Sequence, residues 1–230
     1  MFNEGYTASS GATLTRDDLR TDAIRLGRVL SDVMPDEPEV WGLLALMLLI
    51  ESRRAARTTP DGALVVLADQ DRSLWNHDLV AEGHALVRRC LPRGAPGPYQ
   101  IHAAINAVHG DAATAADTDW AQIRALYDHL LSVQPTAIVA LHRAVAVAEV
   151  DGPAAGLAIV DDLPLSDHHV FHVVRADLLR RMDRRRESVD AYDAAIDRTD
   201  NAAEREFLQR RRDALRPGSL SGSPSGSPAK

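Results

Sequence analysis

Apolar residues recur at intervals of three and four along most of the chain, which is the spacing of an amphipathic helix. Prolines and glycines interrupt this pattern at points where a helix would begin or end. The pattern predicts four helices in the first half of the chain, over residues 16–34, 38–55, 74–90 and 98–110. The chain is therefore expected to be mostly helical.

One segment departs from the helical pattern, "RTTPDGALVVLADQDR" at residues 57–72. Pro60, Asp61 and Gly62 form a turn signal. The apolar run that follows, residues 63–68, is short and rich in valine, which is typical of a strand. The segment predicts a small hairpin-like β element between two helices.

The second half of the chain shows a repeat of about 32 residues. "LHRAVAVAEVDG", which begins at Leu141, aligns with "VVRADLLRRMDR", which begins at Val173, so that Arg143 falls on Arg175 and Ala144 on Ala176. Paired helices with a small residue in mid-helix resemble tetratricopeptide repeats, in which each pair buries its apolar stripe against the next. An irregular helical bundle is the alternative.

These patterns predict an all-α fold in which a helical bundle continues into antiparallel helix pairs. We expect a bundle with the β element over residues 1–115, the helix pairs over 116–216 with a capping segment at 201–215, and a Gly/Ser/Pro tail without a core over 217–230. The predicted core includes Leu44, Leu48, Ala144, Ala148, Leu178 and Tyr192.

Composition and charge exclude several classes of function. The single cysteine, Cys90, excludes an internal disulfide framework. The most apolar run, residues 40–50, is too short to span a bilayer, so no membrane role is expected. The net charge is −7, and it is concentrated before residue 175. An acidic body does not attract a phosphate backbone, so we expect no direct DNA binding by this chain.

Motifs for catalysis or cofactor binding are missing. The sequence contains no phosphate-binding loop, no dinucleotide fingerprint after a strand and no nucleophile elbow. His168 and His172 have the i, i+4 spacing that can hold a metal on a helix, but no adjacent glutamate completes an HExxH pattern. We therefore expect no enzyme, no cofactor and no metal, with a metal-dependent sensor or enzyme as a remote alternative.

A candidate interaction surface combines arginines, carboxylates and aromatic residues around residues 57–72 and the opening "FNEGY". These residue types carry much of the energy of protein interfaces. The alternative is that the ion pairs only fasten the loop to its own helix. The candidate protein-interaction residues are Asn3, Glu4, Tyr6, Arg53, Arg57, Asp69, Asp71, Arg72 and Trp75.

Several long motifs together resemble one known family. They are "FNEGY", "LTRDDLRTDAIRLGRVL", "MPDEPEVWGLLALMLL", "DGALVVLADQDRSLW", "GPYQIHAAI", "DTDWAQIRALYD" and "HRAVAVAEVDGPAAGL". They are similar to the C-terminal, TPR-like extension of a group of extracytoplasmic-function (ECF) sigma factors of the sigma-70 family. One departure is His142, which stands where that family typically has asparagine.

The resemblance implies a regulatory domain that acts through protein contacts. In such proteins two sigma regions precede the "FNEGY" segment, so this chain is expected to be the back half of a larger bacterial protein that controls transcription initiation. The implied partners are the sigma regions of the same protein and, through them, RNA polymerase in the cytoplasm. A free-standing TPR-like adaptor for proteins or peptides is the alternative.

Overall fold

Ten α-helices make up most of the computed structural model, which describes residues 17–91 and 94–216. The helices are α1 Asp17–Val33, α2 Pro38–Glu51, α3 His77–Cys90, α4 Pro98–Asp111, α5 Trp120–Val133, α6 Ala137–Val150, α7 Pro153–Asp161, α8 His169–Arg181, α9 Arg185–Ile196 and α10 Ala202–Asp213. Within these residues there is no strand longer than one bridge. The predicted all-α fold is confirmed.

The sequence marks the helix starts with side chains that accept hydrogen bonds from the first turn. Asn76, Asp119 and Thr136 accept from backbone N–H groups at the starts of α3, α5 and α6. Proline occupies the first turn of α2, α4 and α7, where its missing N–H leaves no hydrogen bond unmade. The helix boundaries therefore follow local chemistry.

Helix α2 is the centre of the N-terminal bundle and packs against α1, α3 and α4. Leu44, Met47 and Leu48 of α2 form a buried cluster with Ala23 of α1. The Glu39 carboxylate accepts hydrogen bonds from the first N–H groups of α4, at 3.1 Å from both Tyr99 and Gln100. This contact fixes the start of α4 against α2 and places a negative charge at the positive end of its dipole.

The bundle and the helix pairs share one hydrophobic cluster. A middle cluster joins α4, α5 and α6 through side chains such as Ile105, Ile123 and Val139. The predicted boundary between residues 115 and 116 lies in a short 3-10 turn, Ala115–Asp117. The middle cluster therefore contains residues from both sides of that boundary.

The 32-residue repeat reappears as repeated contacts. Arg143 reaches back to Asp128 at 2.5 Å, and its equivalent, Arg175, reaches back to Asp161 at 2.7 Å. Ala144 and Ala176 are both fully buried. These shared contacts confirm the alignment that the sequence suggested.

Small residues on the following helices reinforce this repeat. A Cβ on Gly156 would lie 2.7 Å from the carbonyl oxygen of Ala144, and the Ser188 hydroxyl donates to the carbonyl oxygen of Ala176 at 2.8 Å. Gly156 and Ser188 are 32 residues apart, as are the two alanines. Each pair of helices therefore packs closely at the same position of the repeat.

The predicted core residues are buried. Leu44, Leu48, Ala144, Ala148, Leu178 and Tyr192 are each at most 3% exposed, which confirms that prediction. The capping segment forms α10, whose Leu208 is 2% exposed within the last cluster. The tail at 217–230 lies outside the described residues. No helix in the described part combines the length and apolar character needed to cross a bilayer.

Two local predictions need adjustment. The second helix ends at Glu51 instead of Ala55, because the chain turns through a 3-10 segment, Arg54–Ala56. The β-like element is reduced to one antiparallel bridge between Thr58 and Leu64, and residues 67–69 form a 3-10 turn. Residues 63–68 have no strand to pair with beyond Arg57, because the residues before Arg57 form the 3-10 segment Arg54–Ala56.

Candidate functional site

A cavity of about 690 Å³ lies between residues 57–75, called the strap below, and the helices of the second half. The strap contributes its residues 66–69 and Arg72 to one wall. The opposite wall, called the helical wall below, comes from α6, α8, α9 and α10. The ends of α4 and α5 close one side. A volume of this size is in the range of ligand-binding clefts in proteins.

The strap has an ordered backbone although it is irregular. Gly62, with φ of +86°, allows a tight turn in which Thr59 and Ala63 exchange backbone and side-chain hydrogen bonds. The Val65 N–H donates to the carbonyl of Arg57 at 2.8 Å. Asp71 accepts from the N–H of Ser73 at 2.9 Å and so begins the next 3-10 turn. These hydrogen bonds hold the strap so that its residues 66–69 line the cavity.

Arg72 anchors the strap to the C-terminal end of α4. Its guanidinium donates to the carbonyl oxygens of His109 and Ala112 and lies 3.4 Å from the Thr118 hydroxyl. These carbonyls have no partner within the helix, and a cation suits the negative end of its dipole. Arg72 therefore caps α4 from outside.

The ring of Trp75 packs against the guanidinium groups of Arg72 and Arg53. The guanidinium carbons of Arg72 and Arg53 lie 4.8 and 5.8 Å from the centre of its ring. Trp75 is 6% exposed, and Arg53 also donates to the Asn106 side chain at 2.7 Å. Two cations against one buried indole hold the strap to both α2 and α4.

His109 lies beside these cations and stays neutral. Burial, and then the charges of Arg53 and Arg72, lower the pKa of His109 to about 4. Its ring makes an edge-on contact with Trp120, with ring centres 5.3 Å apart. At neutral pH this corner of the cavity therefore presents one arginine, Arg72, and an uncharged imidazole, with Arg53 buried behind them.

The helical wall contributes a second set of arginines, each with a carboxylate nearby. Arg181 on α8 lies 2.6 Å from Glu149 on α6, and these residues are 32 apart, at one position of the repeat. Arg180 lies 2.6 Å from Asp177.

Arg211 on α10 extends this wall and reaches across to the strap. Its guanidinium lies 3.5 Å from the carboxylate of Asp69 and 5.2 Å from the ring centre of Phe207. Valine side chains from α6 and α8 lie between these polar groups. The wall therefore combines exchangeable ion pairs with apolar surface.

The predicted site residues fall into separate groups. Asp69 and Arg72 line the cavity, whereas Arg53 and Trp75 are buried behind Arg72. Asp71 is exposed, and hydrogen bonds from Ser73 hold the pKa of its carboxyl below the usual value. The Arg57 side chain is half-buried at the start of the strap. Asn3, Glu4 and Tyr6 lie outside the described residues.

Sequence reasoning missed the arginines of the helical wall. Arg180, Arg181 and Arg211 were not among the candidates, although all three line the cavity. A signal was present, because the repeat alignment places Glu149 and Arg181 at the same position of adjacent units. Opposite charges at one repeat position predict a pair across neighbouring helices.

The histidines considered as metal ligands have other contacts. The His172 ring lies 2.7 Å from the carbonyl oxygen of Ser166, and His169 lies 3.5 Å from Glu204. In residues 17–91 and 94–216, no three His, Cys, Asp or Glu side chains group as metal ligands would. His142 packs near Tyr127, and burial lowers its pKa.

Comparison with known proteins found a family model similar to the first part of the chain and a longer relative. Residues 1–91 match the model of DUF6596, described as a family of unknown function. An uncharacterised protein of Rhizobium meliloti (strain 1021) is 43% identical over 217 residues. The match covers 94% of this chain but 51% of the relative, so the chain spans about half of that protein's length. No solved structure matches the chain.

Proposed function

We propose that the chain is a regulatory, protein-interaction domain of an RNA polymerase sigma factor of the ECF group. It binds other protein segments and modulates transcription initiation, and it catalyses no reaction. Its partners are the sigma regions of the same protein and, through them, RNA polymerase. The domain itself makes no direct contact with DNA and works in the cytoplasm, where transcription takes place.

The observation that carries the interaction role is the cavity between the strap and the helical wall. Its apolar surface can accept side chains, while the ion pairs at Arg181 and Arg211 can exchange their carboxylates for those of a ligand. Exposed ion pairs are weak, so this exchange costs little. A protein segment with apolar residues and a carboxylate fits this lining.

The sigma-factor role rests on the ordered sequence motifs, and the size of the relative supports it. About half of the Rhizobium meliloti protein lies outside the matched part, which leaves room for further regions in a protein of that kind. The acidic net charge of −7 favours contact with a basic protein surface over contact with DNA. A domain with this charge is suited to hold a DNA-binding region by its basic side.

Transcription in vitro tests this proposal. The reading frame that contains the chain is sequenced for sigma regions, which are then expressed with and without this chain and added to core RNA polymerase. We expect promoter-dependent transcription to change when the chain is removed. Equal transcription from both proteins would contradict a regulatory role. A reading frame without sigma regions would favour the adaptor that acts on separate proteins.

A further inference from the structure

Five large apolar side chains are exposed at the end of α1 and in the turn that follows it. The exposed fractions of Leu26, Val29, Leu30, Val33 and Met34 are 51%, 53%, 39%, 72% and 43%. Single exposed apolar residues are normal on a protein surface, but a contiguous group marks a site of interaction. We call these five residues the α1 stripe.

The α1 stripe occupies one face of the helix. Its residues follow the spacing i, i+3, i+4, i+7 and i+8, which brings them into one row. Ala23 and Gly27, which lie three residues before Leu26 and Leu30, belong to the adjoining face, which packs on α2: Ala23 is buried and a Cβ on Gly27 would lie 2.6 Å from the end of Met47. Helix α1 therefore has one broad apolar face, and the described residues cover only part of it.

The surroundings of the α1 stripe are acidic. Two nearby arginines are already close to carboxylates, Arg25 at 3.8 Å from Asp22 and Arg28 at 2.9 Å from Glu82. Four exposed carboxylates lie just before, between and just after the stripe residues in the sequence, at Asp22, Asp32, Asp36 and Glu37, and with two arginines they give residues 22–37 a net charge of −2. The segment that contains the stripe therefore carries an excess of negative charge.

We propose that the α1 stripe is a docking surface for a basic amphipathic helix of a protein partner. The stripe is straight and about 12 Å long, which matches two turns of a facing helix. Apolar residues of such a helix cover the stripe, and its lysines or arginines meet the nearby carboxylates. The surface is separate from the cavity, and the inference does not depend on the sigma-factor proposal.

Two synthetic peptides provide the test. Both are labelled amphipathic helices of about five turns, with the same apolar row. One has lysines beside the row and the other has glutamates. Fluorescence anisotropy measures the affinity of each for the whole chain. We expect the lysine peptide to bind at least about tenfold more tightly, with a difference that shrinks as salt is added.

Matched variants locate the binding. Val29→Asn with Val33→Asn removes apolar surface from the α1 stripe without changing its charge. Val133→Asn is the control, because Val133 is also exposed and also ends its helix, α5. We expect the double variant to weaken the lysine peptide at least about tenfold and the control to change affinity less than about twofold. Circular dichroism checks that each variant is folded, with Val33→Asn alone as the milder second variant.

Three results would overturn the inference. Equal affinity for both peptides would show that the stripe does not select a basic partner. Unchanged affinity in the stripe variants would place the binding elsewhere on the chain. Sedimentation that shows dimers of this chain, lost in Val33→Asn, would mean that a second copy covers the stripe.

Discussion

The strap and the helical wall both direct arginines towards the cavity, but they hold them in different ways. In the strap, Arg72 donates to the carbonyl oxygens of His109 and Ala112. In the helical wall, Arg181 lies 2.6 Å from the carboxylate of Glu149. Arg72 therefore binds backbone groups at a helix end, whereas the shortest contact of Arg181 is to an exposed side chain, beside a longer hydrogen bond of 3.3 Å to the carbonyl oxygen of Ala148.

This difference separates Arg72, which stabilises the fold, from Arg181, which can bind a ligand. The carbonyls that Arg72 caps belong to the backbone of α4 and cannot turn away, so losing Arg72 leaves them without a donor. Glu149 can rotate into water when a ligand carboxylate replaces it at Arg181. We infer that the strap side of the cavity is structural and that the helical side is where a partner binds.

The largest expected loss of stability follows the removal of Trp75, whose ring contacts both Arg53 and Arg72. Replacing Trp75 with alanine leaves a void under two arginines and should lower the free energy of unfolding by roughly 3–5 kcal/mol. Leu74→Ala is the control, since Leu74 is 52% exposed, and should cost less than about 0.5 kcal/mol. Urea unfolding followed by circular dichroism measures both. Similar values for the two variants would mean that the strap is not fastened at Trp75.

The two arginines provide a direct contrast. Arg72→Met keeps the apolar stem but removes the donors to α4, so it should cost about 1–3 kcal/mol of unfolding free energy. Arg181→Met breaks a partly exposed ion pair and should cost less than about 1 kcal/mol. The same urea experiment measures both. The distinction between the two walls fails if Arg181→Met is the more destabilising change.

Acid should weaken the strap corner through His109. Its pKa in the folded chain, about 4, is below the ordinary value of 6.5, so the unfolded chain takes up this proton first as the pH falls. Stability is therefore lost from about pH 6.5 down to 4, by about 1 kcal/mol between pH 7 and 5.5.

Urea unfolding at several pH values, with His109→Gln as the comparison, isolates this contribution. His102 and His142, whose pKa values burial also lowers, add losses of the same sign in both proteins. The variant should therefore show a shallower decline than the unmodified chain. Identical pH profiles would mean that folding does not lower the pKa of His109.

The smallest expected effect is at the contact that crosses the cavity. Asp69 is mostly exposed and lies 3.5 Å from Arg211, so Asp69→Asn should change the unfolding free energy by less than about 0.5 kcal/mol. The measurement is the same urea titration. A loss above about 1 kcal/mol would show that the strap depends on Arg211 and would extend the fastening to the helical wall.

Much of the fold could be predicted because local and packing signals agree. Ala144 and Ala176 recur at the repeat distance, and both are buried at close helix contacts. Helix α2 is different. The "ESRRAAR" stretch favours helix, yet the helix ends at Glu51, because the chain turns to bring Arg53 to Asn106 and Trp75. Such long-range contacts leave no mark on a local pattern.

The candidate site could be predicted in part. Their residue types mark Asp69 and Arg72 as candidates, and both line the cavity. The sequence could not separate them from Arg53 and Trp75, because burial decides between an exposed ion pair and a buried stack. It also did not reveal that α10 brings Arg211 to the strap. That contact joins residues 142 positions apart, and no periodicity predicts it.

Transcription with a matched pair of arginine variants tests the central claim, that the helical wall of the cavity binds the partner. Arg181→Met changes that wall, whereas Arg185→Met changes an exposed arginine of α9 that does not line the cavity. Each is placed in the chain joined to its sigma regions and assayed with core RNA polymerase and its promoter. We expect about a tenfold change in transcription for Arg181→Met, none for Arg185→Met, and equal melting temperatures for both. Unchanged transcription in Arg181→Met, with the protein folded, would contradict that claim.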